Sequence, residues 1–346
     1  MTRTATFVAL VLVSSLSFSA QAWNRLEATR FATLPPDTAH PEGITADAAG
    51  NIYVADFDVD HPGPGVVVVF DHSGHVLREV RVAGSTNLLL GLDFSRCPGQ
   101  TNQLLVIDFG GQKVLSVDPV SGASTLFTAI TGGGPNALTF DAANNVYISD
   151  SGRGIIWKTS PCGGPAQAWV ASDLLLPNPS GVQAPFGYPP FGANGLAFNK
   201  AHTALFVANT ARDTIVKVLV VAGGAAGAPV DFTNSINGAD GLIIDEDDNL
   251  WVCANQADEV LVVNPAGRAI AKLGDFDGLS QDGAPVGLLF PASLVFHGDF
   301  VYVTNLSLDL RDFGLPPAVD SDWARAVTRH TVARLPMHLP PIRGLR

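Results

Sequence analysis

The chain predicts an all-β fold, a six-bladed β-propeller with four strands per blade closed by an N-terminal strand. Two observations carry that prediction. A short phrase recurs six times: Glu42-Gly-Ile-Thr-Ala-Asp, Leu90-Gly-Leu-Asp-Phe-Ser, Asn136-Ala-Leu-Thr-Phe-Asp, Asn194-Gly-Leu-Ala-Phe-Asn, Asp240-Gly-Leu-Ile-Ile-Asp and Ala292-Ser-Leu-Val-Phe-His. Its first residues are 48, 46, 58, 46 and 52 positions apart, a period that holds one four-stranded blade. A lone four-stranded sheet cannot bury both faces, whereas a ring of six buries each face against its neighbour.

Within a period the elements follow in order. The phrase is the innermost strand. A second strand follows a polar turn, as in Ile52-Tyr-Val-Ala-Asp, Leu104-Leu-Val-Ile-Asp and Val146-Tyr-Ile-Ser-Asp. All six second strands close on Asp or Asn: Asp56, Asp108, Asp150, Asn209, Asn255 and Asn305. Turn and support roles are expected for most of these. The third strand is again β-branched, as in Val66-Val-Val-Val-Phe, and the fourth is looser, as in Ala123-Ser-Thr-Leu-Phe-Thr. Such runs, bounded by Gly, Pro, Asn and Asp, are strand signals. Residues 28–34 are expected to close the ring beside a late strand near 328–335. This topology puts the six lead residues at one face, here called the top. Two long insertions, 172–193 and 307–327, share that face, where long loops tend to carry function.

Composition narrows the function. Charged residues are 15% of the chain and the net charge is -12, with no basic cluster, so nucleic acid is not an expected partner. Residues 1–22 read as a secretory signal peptide: Arg3, an apolar run from Phe7 to Leu16, then Ala20-Gln21-Ala22 before Trp23. That run is too short to span a bilayer. The remainder, 23–346, reads as one propeller domain, a periplasmic or secreted monomer with no membrane association after cleavage. Of the three cysteines, Cys253 sits in an apolar strand and reads as a small buried hydrophobe. Cys97 and Cys162 fall in bottom-face loops of adjacent blades. They read either as a disulfide, which an exported protein permits, or as separate thiols.

The lead position is where the repeats differ, and it carries the chemistry. Glu42, Asn136, Asn194 and Asp240 offer two carboxylates and two amide carbonyls, converging at the top of the ring. Two carboxylates about 5 Å apart repel by about 3 kcal/mol at an effective dielectric near 20. One of them protonates, or a cation neutralises both. An all-oxygen set with room for water suits calcium, ahead of magnesium or another divalent ion. No Cys or His at a lead position speaks for zinc. A plain hydrogen-bonded cap is the alternative reading.

The chain resembles the senescence marker protein/gluconolactonase (regucalcin-like) family of six-bladed propellers, related to diisopropyl fluorophosphatase and the paraoxonases. The motifs that carry the resemblance are Pro41-Glu42-Gly43, Pro135-Asn136-Ala-Leu-Thr-Phe-Asp141, Ala193-Asn194-Gly-Leu-Ala-Phe198 and Gly238-Ala-Asp240-Gly-Leu. It implies that Glu42, Asn136, Asn194 and Asp240 bind a catalytic calcium, that Asp240 is general base or nucleophile, and that the substrate is a small lactone, ester or organophosphate. Three departures matter. Ile243 stands where some relatives place an Asp of a second calcium site. Asn305-Leu306 replaces the His of phosphotriesterase-like members. Leu90-Gly91 stands where sugar-lactonase relatives often place polar contacts, which favours a more apolar substrate.

His40 and His61 fall on the top face and are candidate pocket residues, with Phe186, Tyr188 and Phe191 of the first insertion. His72, His75, His202 and His297 fall toward the bottom. No Gly-x-Ser-x-Gly elbow, P-loop or HExxH occurs. Two functions remain open: a calcium-dependent lactonase or esterase, and a non-catalytic binding propeller with a structural calcium.

Overall fold

Each copy of the phrase opens one antiparallel four-stranded sheet in the computed structural model, which describes residues 25–59, 61–177 and 191–339. The signal-peptide segment, Phe186 and Tyr188 lie outside the described residues. Strand β1 (Thr29–Thr33) comes first in the chain. Blade one is β2 (Pro41–Ala46), β3 (Ile52–Asp56), β4 (Val66–Phe70) and β5 (Val76–Arg81). Blade two is β6 (Leu89–Phe94), β7 (Leu104–Asp108), β8 (Lys113–Val117) and β9 (Ser124–Ala129). Blade three is β10 (Pro135–Phe140), β11 (Val146–Asp150), β12 (Ile155–Ser160) and β13 (Gly163–Ala171). Blade four is β14 (Ala193–Phe198), β15 (Ala204–Asn209), β16 (Thr214–Leu219) and β17 (Val230–Asn234). Blade five is β18 (Ala239–Ile244), β19 (Leu250–Ala254), β20 (Glu259–Val263) and β21 (Ala269–Leu273). After a hairpin, β22 (Phe276–Leu279) and β23 (Pro285–Gly287), blade six is β24 (Pro291–His297), β25 (Phe300–Asn305), β26 (Thr331–Pro336) and finally β1.

The ring closes as expected: β1 pairs with β26, Thr33 opposite Thr331 and Thr29 opposite Arg334. Burial explains why the strands differ in legibility. The second strands are buried along their whole length, apart from the half-buried Phe300 that opens β25, because each lies between two other blades. They therefore read as unbroken apolar runs. The fourth strands edge the ring and are more exposed than the second, most of all in β5, so their sequences are mixed. The hairpin β22–β23 was not anticipated. Its strands are short, and it takes Gly278 and Gly283 at positive φ, so no periodic pattern marks it. It supports helix α1 (Ser321–Ala326) of the second insertion, where Trp323 packs edge-on against Phe276 at 5.6 Å.

One feature recurs at the inner end of every blade. The register of all six innermost strands slips by one residue against the second strand, between Pro41 and Ile44, Leu89 and Leu92, Pro135 and Leu138, Ala193 and Leu196, Ala239 and Leu242, and Pro291 and Leu294. The slip brackets the lead residue and the one after it. A bulge bends the strand and re-aims a side chain. The residue after the lead must also be small. A Cβ on Gly195 would meet the Asp240 carbonyl oxygen at 2.5 Å, and one on Gly241 would meet that of Ala292 at 2.5 Å. Gly in the phrase thus records how tightly neighbouring inner strands pack.

At the opposite end of the blades Cys97 and Cys162 form a disulfide across blades two and three. Cys253 is a free, buried thiol.

Candidate active site

Glu42, Asn136, Asn194 and Asp240 line one cavity of about 40 Å³ at the top of the ring. All four are buried, at 4–5% exposure. Asn255, the residue just after β19, joins them. Its Nδ2 donates to Asp240 Oδ2 at 2.8 Å, while Gln256 Nε2 donates to Asn255 Oδ1 at 3.1 Å. Asn194 Nδ2 donates to Thr210 Oγ1 at 2.9 Å, and that hydroxyl donates to the Ala239 carbonyl at 2.7 Å. These bonds orient the two side chains and join blade four to blade five.

Three oxygens in the cluster have no partner: Glu42 Oε2, Asn136 Oδ1 and Asp240 Oδ1. A buried polar atom without a hydrogen bond is costly, and most are satisfied. Here three come from three blades and face one cavity. Burial pushes the Glu42 carboxyl well above the usual carboxylate range, and the nearby Asp240 charge adds to this. Burial also raises Asp240, to about 7, against the opposing pull of hydrogen bonds led by Asn255. The Cys253 thiol is raised by burial and by both carboxylates, so it lies in their field. A divalent cation would satisfy the orphaned oxygens and neutralise both acids. The donor set fits a hard, oxygen-seeking ion. Among the described residues no group of three or more His, Cys, Asp or Glu side chains could hold a metal; this set has only two carboxylates, the rest being amides.

The other second-strand ends do what turn residues do. Asp56 accepts from Ala39 N–H, Asp108 from Thr86 and Gly111, and Asp150 from Gly134, Arg153 and the Trp157 indole. Asn209 and Asn305 instead donate to backbone carbonyls, of Leu174 and Leu176 and of Gly287. Only Asn255 turns toward the cavity.

The rest of the cavity wall is apolar: Phe57, Leu90, Phe109, Phe191, Phe290, Leu306 and Leu308. Phe109 packs edge-on against Phe57 at 6.1 Å and Phe191 at 6.4 Å, and Phe313 stacks on Phe57 at 5.7 Å. Most of these positions escaped the sequence reading, though the repeat held a signal. The residues just after the six second-strand ends are Phe57, Phe109, Ser151, Thr210, Gln256 and Leu306. Those of blades six, one and two are apolar and line the cavity. Those of blades three, four and five are polar and brace the oxygen cluster or its strands; Ser151 Oγ donates to the Ala193 carbonyl at 2.7 Å.

Two pocket candidates, His40 and His61, lie away from the oxygen cluster. His40 is buried behind the wall, its Nδ1 3.0 Å from the Leu306 carbonyl and its ring 4.6 Å from His330. His61 pairs with Asp58 at 2.8 Å on the half-exposed loop after β3. Neither is among the residues lining the cavity. A larger cavity of about 390 Å³ opens at the other end of the inner strands. Thr45 pairs there with Asp93 at 2.9 Å and Lys200 with Glu246 at 2.5 Å, Arg96 lies over the Phe140 ring at 4.0 Å, and His202 Nδ1 is a single polar atom without a partner. Size alone would choose that cavity; the orphaned oxygens choose the small one.

A family model described as SMP-30/Gluconolactonase/LRE-like region matches residues 188–274. The chain is a six-bladed propeller with a region similar to the SMP-30/gluconolactonase family. The matched SMP-30/gluconolactonase-like region contains blades four and five, hence Asn194, Asp240 and Asn255; Glu42 and Asn136 lie outside it. The resemblance drawn from the lead residues is borne out. Solved structures agree on the fold. A luciferin-regenerating enzyme superposes with a TM-score of 0.63 at 14% identity, over 93% of this chain and 98% of that one. Regucalcin from Agrobacterium tumefaciens, described as a calcium-binding protein, gives 0.62 at 16% identity over 92% and 98%. A gluconolactonase from Xanthomonas campestris gives 0.61 at 15% identity over 91% and 96%. No curated protein sequence matches the chain.

Proposed function

We propose that the protein is a calcium-dependent hydrolase of the lactonase or esterase type. The single observation that carries this reading is the trio of buried, unpartnered oxygens on Glu42, Asn136 and Asp240. Glu42, Asn136, Asn194 and Asp240 would hold the ion. The family match and the gluconolactonase and regucalcin neighbours support both the reaction type and the metal.

Bound calcium would supply Lewis-acid polarisation of a carbonyl oxygen. Asp240 keeps Oδ1 uncommitted while Asn255 holds Oδ2. It is therefore positioned either to take a proton from water or to attack the carbonyl carbon directly. The phenylalanines and leucines above exclude bulk water, which strengthens electrostatic interactions at the floor. The predicted signal peptide and the Cys97–Cys162 disulfide support an exported protein, periplasmic or secreted. No helix among the described residues is long and apolar enough to cross a membrane.

One observation favours a second reading. The cavity is small, and Leu306, just before the second insertion, and Leu308, within it, help close it. A non-catalytic binding propeller with a structural calcium has that shape. A panel of lactones and aryl esters, assayed with calcium and after chelation, and repeated with Asp240→Asn, decides between them. Calcium-dependent turnover lost in Asp240→Asn supports the hydrolase. Calcium binding without any turnover supports the binding reading. Full activity after chelation and in the variant sinks the mechanism.

A further inference from the structure

We propose that the substrate of this site is an ester or lactone whose enclosed part is hydrocarbon, aliphatic or aromatic, and carries no hydroxyl groups. The inference deepens the hydrolase reading and rests on it.

The cavity has two chemically distinct sides. The oxygens of Asn136, Asn194 and Asp240 come from blades three, four and five. Facing them across the ring, around the Glu42 carboxyl, are Phe57, Leu90, Phe109, Phe290, Leu306 and Leu308, none with a polar side-chain atom. The donors of the polar side are largely committed. The Asn194 amide is held by Thr210, that of Asn255 by Asp240, and that of Gln256 by Asn255. A substrate seated here points its reacting carbonyl at the oxygen cluster and lays its remaining atoms against carbon.

A polyhydroxylated lactone in that position buries its hydroxyls where, among the described residues lining this side, only Glu42 could accept or donate. An apolar pocket rejects one added hydroxyl by a factor of about 100, and further hydroxyls add to the penalty. A hydrocarbon substituent gains instead, by about 4-fold in binding for each methylene removed from water.

The test uses the calcium-loaded full chain. The kcat/KM values of γ-butyrolactones with alkyl substituents of increasing length are compared with that of glucono-1,5-lactone. The expected result is a rise of about 3- to 4-fold per methylene until the chain outgrows the cavity. A preference of at least about 100-fold over gluconolactone should accompany it. Leu90→Asn, or Leu306→Asn if the first does not fold, should narrow that preference about 10-fold. Equal or better turnover of gluconolactone overturns the substrate class and leaves the hydrolase reading standing. If neither these lactones nor the corresponding alkyl and aryl esters turn over, the hydrolase reading falls. The corresponding alkyl and polyhydroxylated lactams, titrated by calorimetry, then judge the pocket separately. Tighter binding of the alkyl lactam retains the ligand class, whereas tighter binding of the hydroxylated one, or of neither, overturns it.

Discussion

Blades three, four and five share their backbone plan with blades six, one and two, bulge included, yet the two halves face the cavity with different chemistry. The first arc presents Asn136, Asn194 and Asp240, backed by Ser151, Thr210 and Gln256. The second presents Glu42 alone among Leu90, Phe57, Phe109, Leu306 and Phe290. A bulged repeat therefore fixes where a side chain appears and leaves its chemistry free. One scaffold can hold an oxygen cluster and an apolar wall around the same cavity.

The largest expected effect lies on the polar arc. Asp240→Asn should lower kcat/KM by about 1000-fold or more, the scale of losing a positioned acid–base or nucleophilic group. Arg96→Ala in the larger, lower cavity should change it less than about 3-fold. Steady-state kinetics on one lactone checks both, and a comparable loss in Arg96→Ala would move the site to the other end of the ring.

Metal loading comes next. At a calcium concentration 100 times Kd, linkage predicts about 2.7 kcal/mol of added stability, read as a rise in Tm over chelated protein. Glu42→Gln should abolish most of that rise, because one of two charges is gone. Phe57→Ala on the apolar arc should leave it in place. A calcium-induced shift equal in Glu42→Gln and wild type would remove Glu42 from the ligand set.

Gly241→Ala tests the packing that brings the arcs together. Its Cβ would meet the Ala292 carbonyl oxygen at 2.5 Å and Ser293 Cα at 2.8 Å. Overpacking of this kind costs roughly 1–3 kcal/mol. Chemical denaturation should show it, and calcium affinity should fall in parallel, since Asp240 is the preceding residue. An unchanged midpoint would mean that the inner strands separate easily.

The smallest effect concerns the seam between blade five and the apolar arc. Asp258 accepts the Phe290 N–H at 2.7 Å. Burial raises its pKa to about 8, with the Asp320 and Asp275 charges adding to the shift against that hydrogen bond. The folded chain thus holds a proton that the unfolded chain releases near pH 4. The associated stability is present below pH 4 and is lost as pH rises toward 8. Asp258→Asn should flatten this part of the Tm-against-pH curve. A curve parallel to wild type would show that Asp258 does not titrate in that range.

Much of the molecule was legible in the sequence. Six copies of one phrase specified six blades, and the apolar second strands marked themselves because each is buried from both sides. Glu42, Asn136, Asn194 and Asp240 stood out as oxygen-bearing residues in an otherwise constant pattern. The site's surroundings were less legible. His40 and His61 lay near Glu42 and Asp56 in the chain, but their partners are the Leu306 carbonyl and Asp58. Proximity along a strand end does not give the direction of a side chain. The alternation of Phe57, Phe109 and Leu306 with Ser151, Thr210 and Gln256 was present in the repeat, yet it acquires meaning only once the blades are set side by side.

By itself the sequence determined the period, the number of blades, the ring-closing strand and the residues available at the inner ends. Those follow from local alternation and turn chemistry, which act over a few residues. The tertiary structure alone decided that Asn255 serves Asp240 rather than a loop, that Glu42, Asn136 and Asp240 keep unpartnered oxygens, and that the apolar residues gather in one arc. Those outcomes depend on ring closure, as where Thr304 of blade six donates to the Glu42 carbonyl of blade one. The two residues are 262 positions apart in the chain, and the packing that joins them is a property of the whole ring.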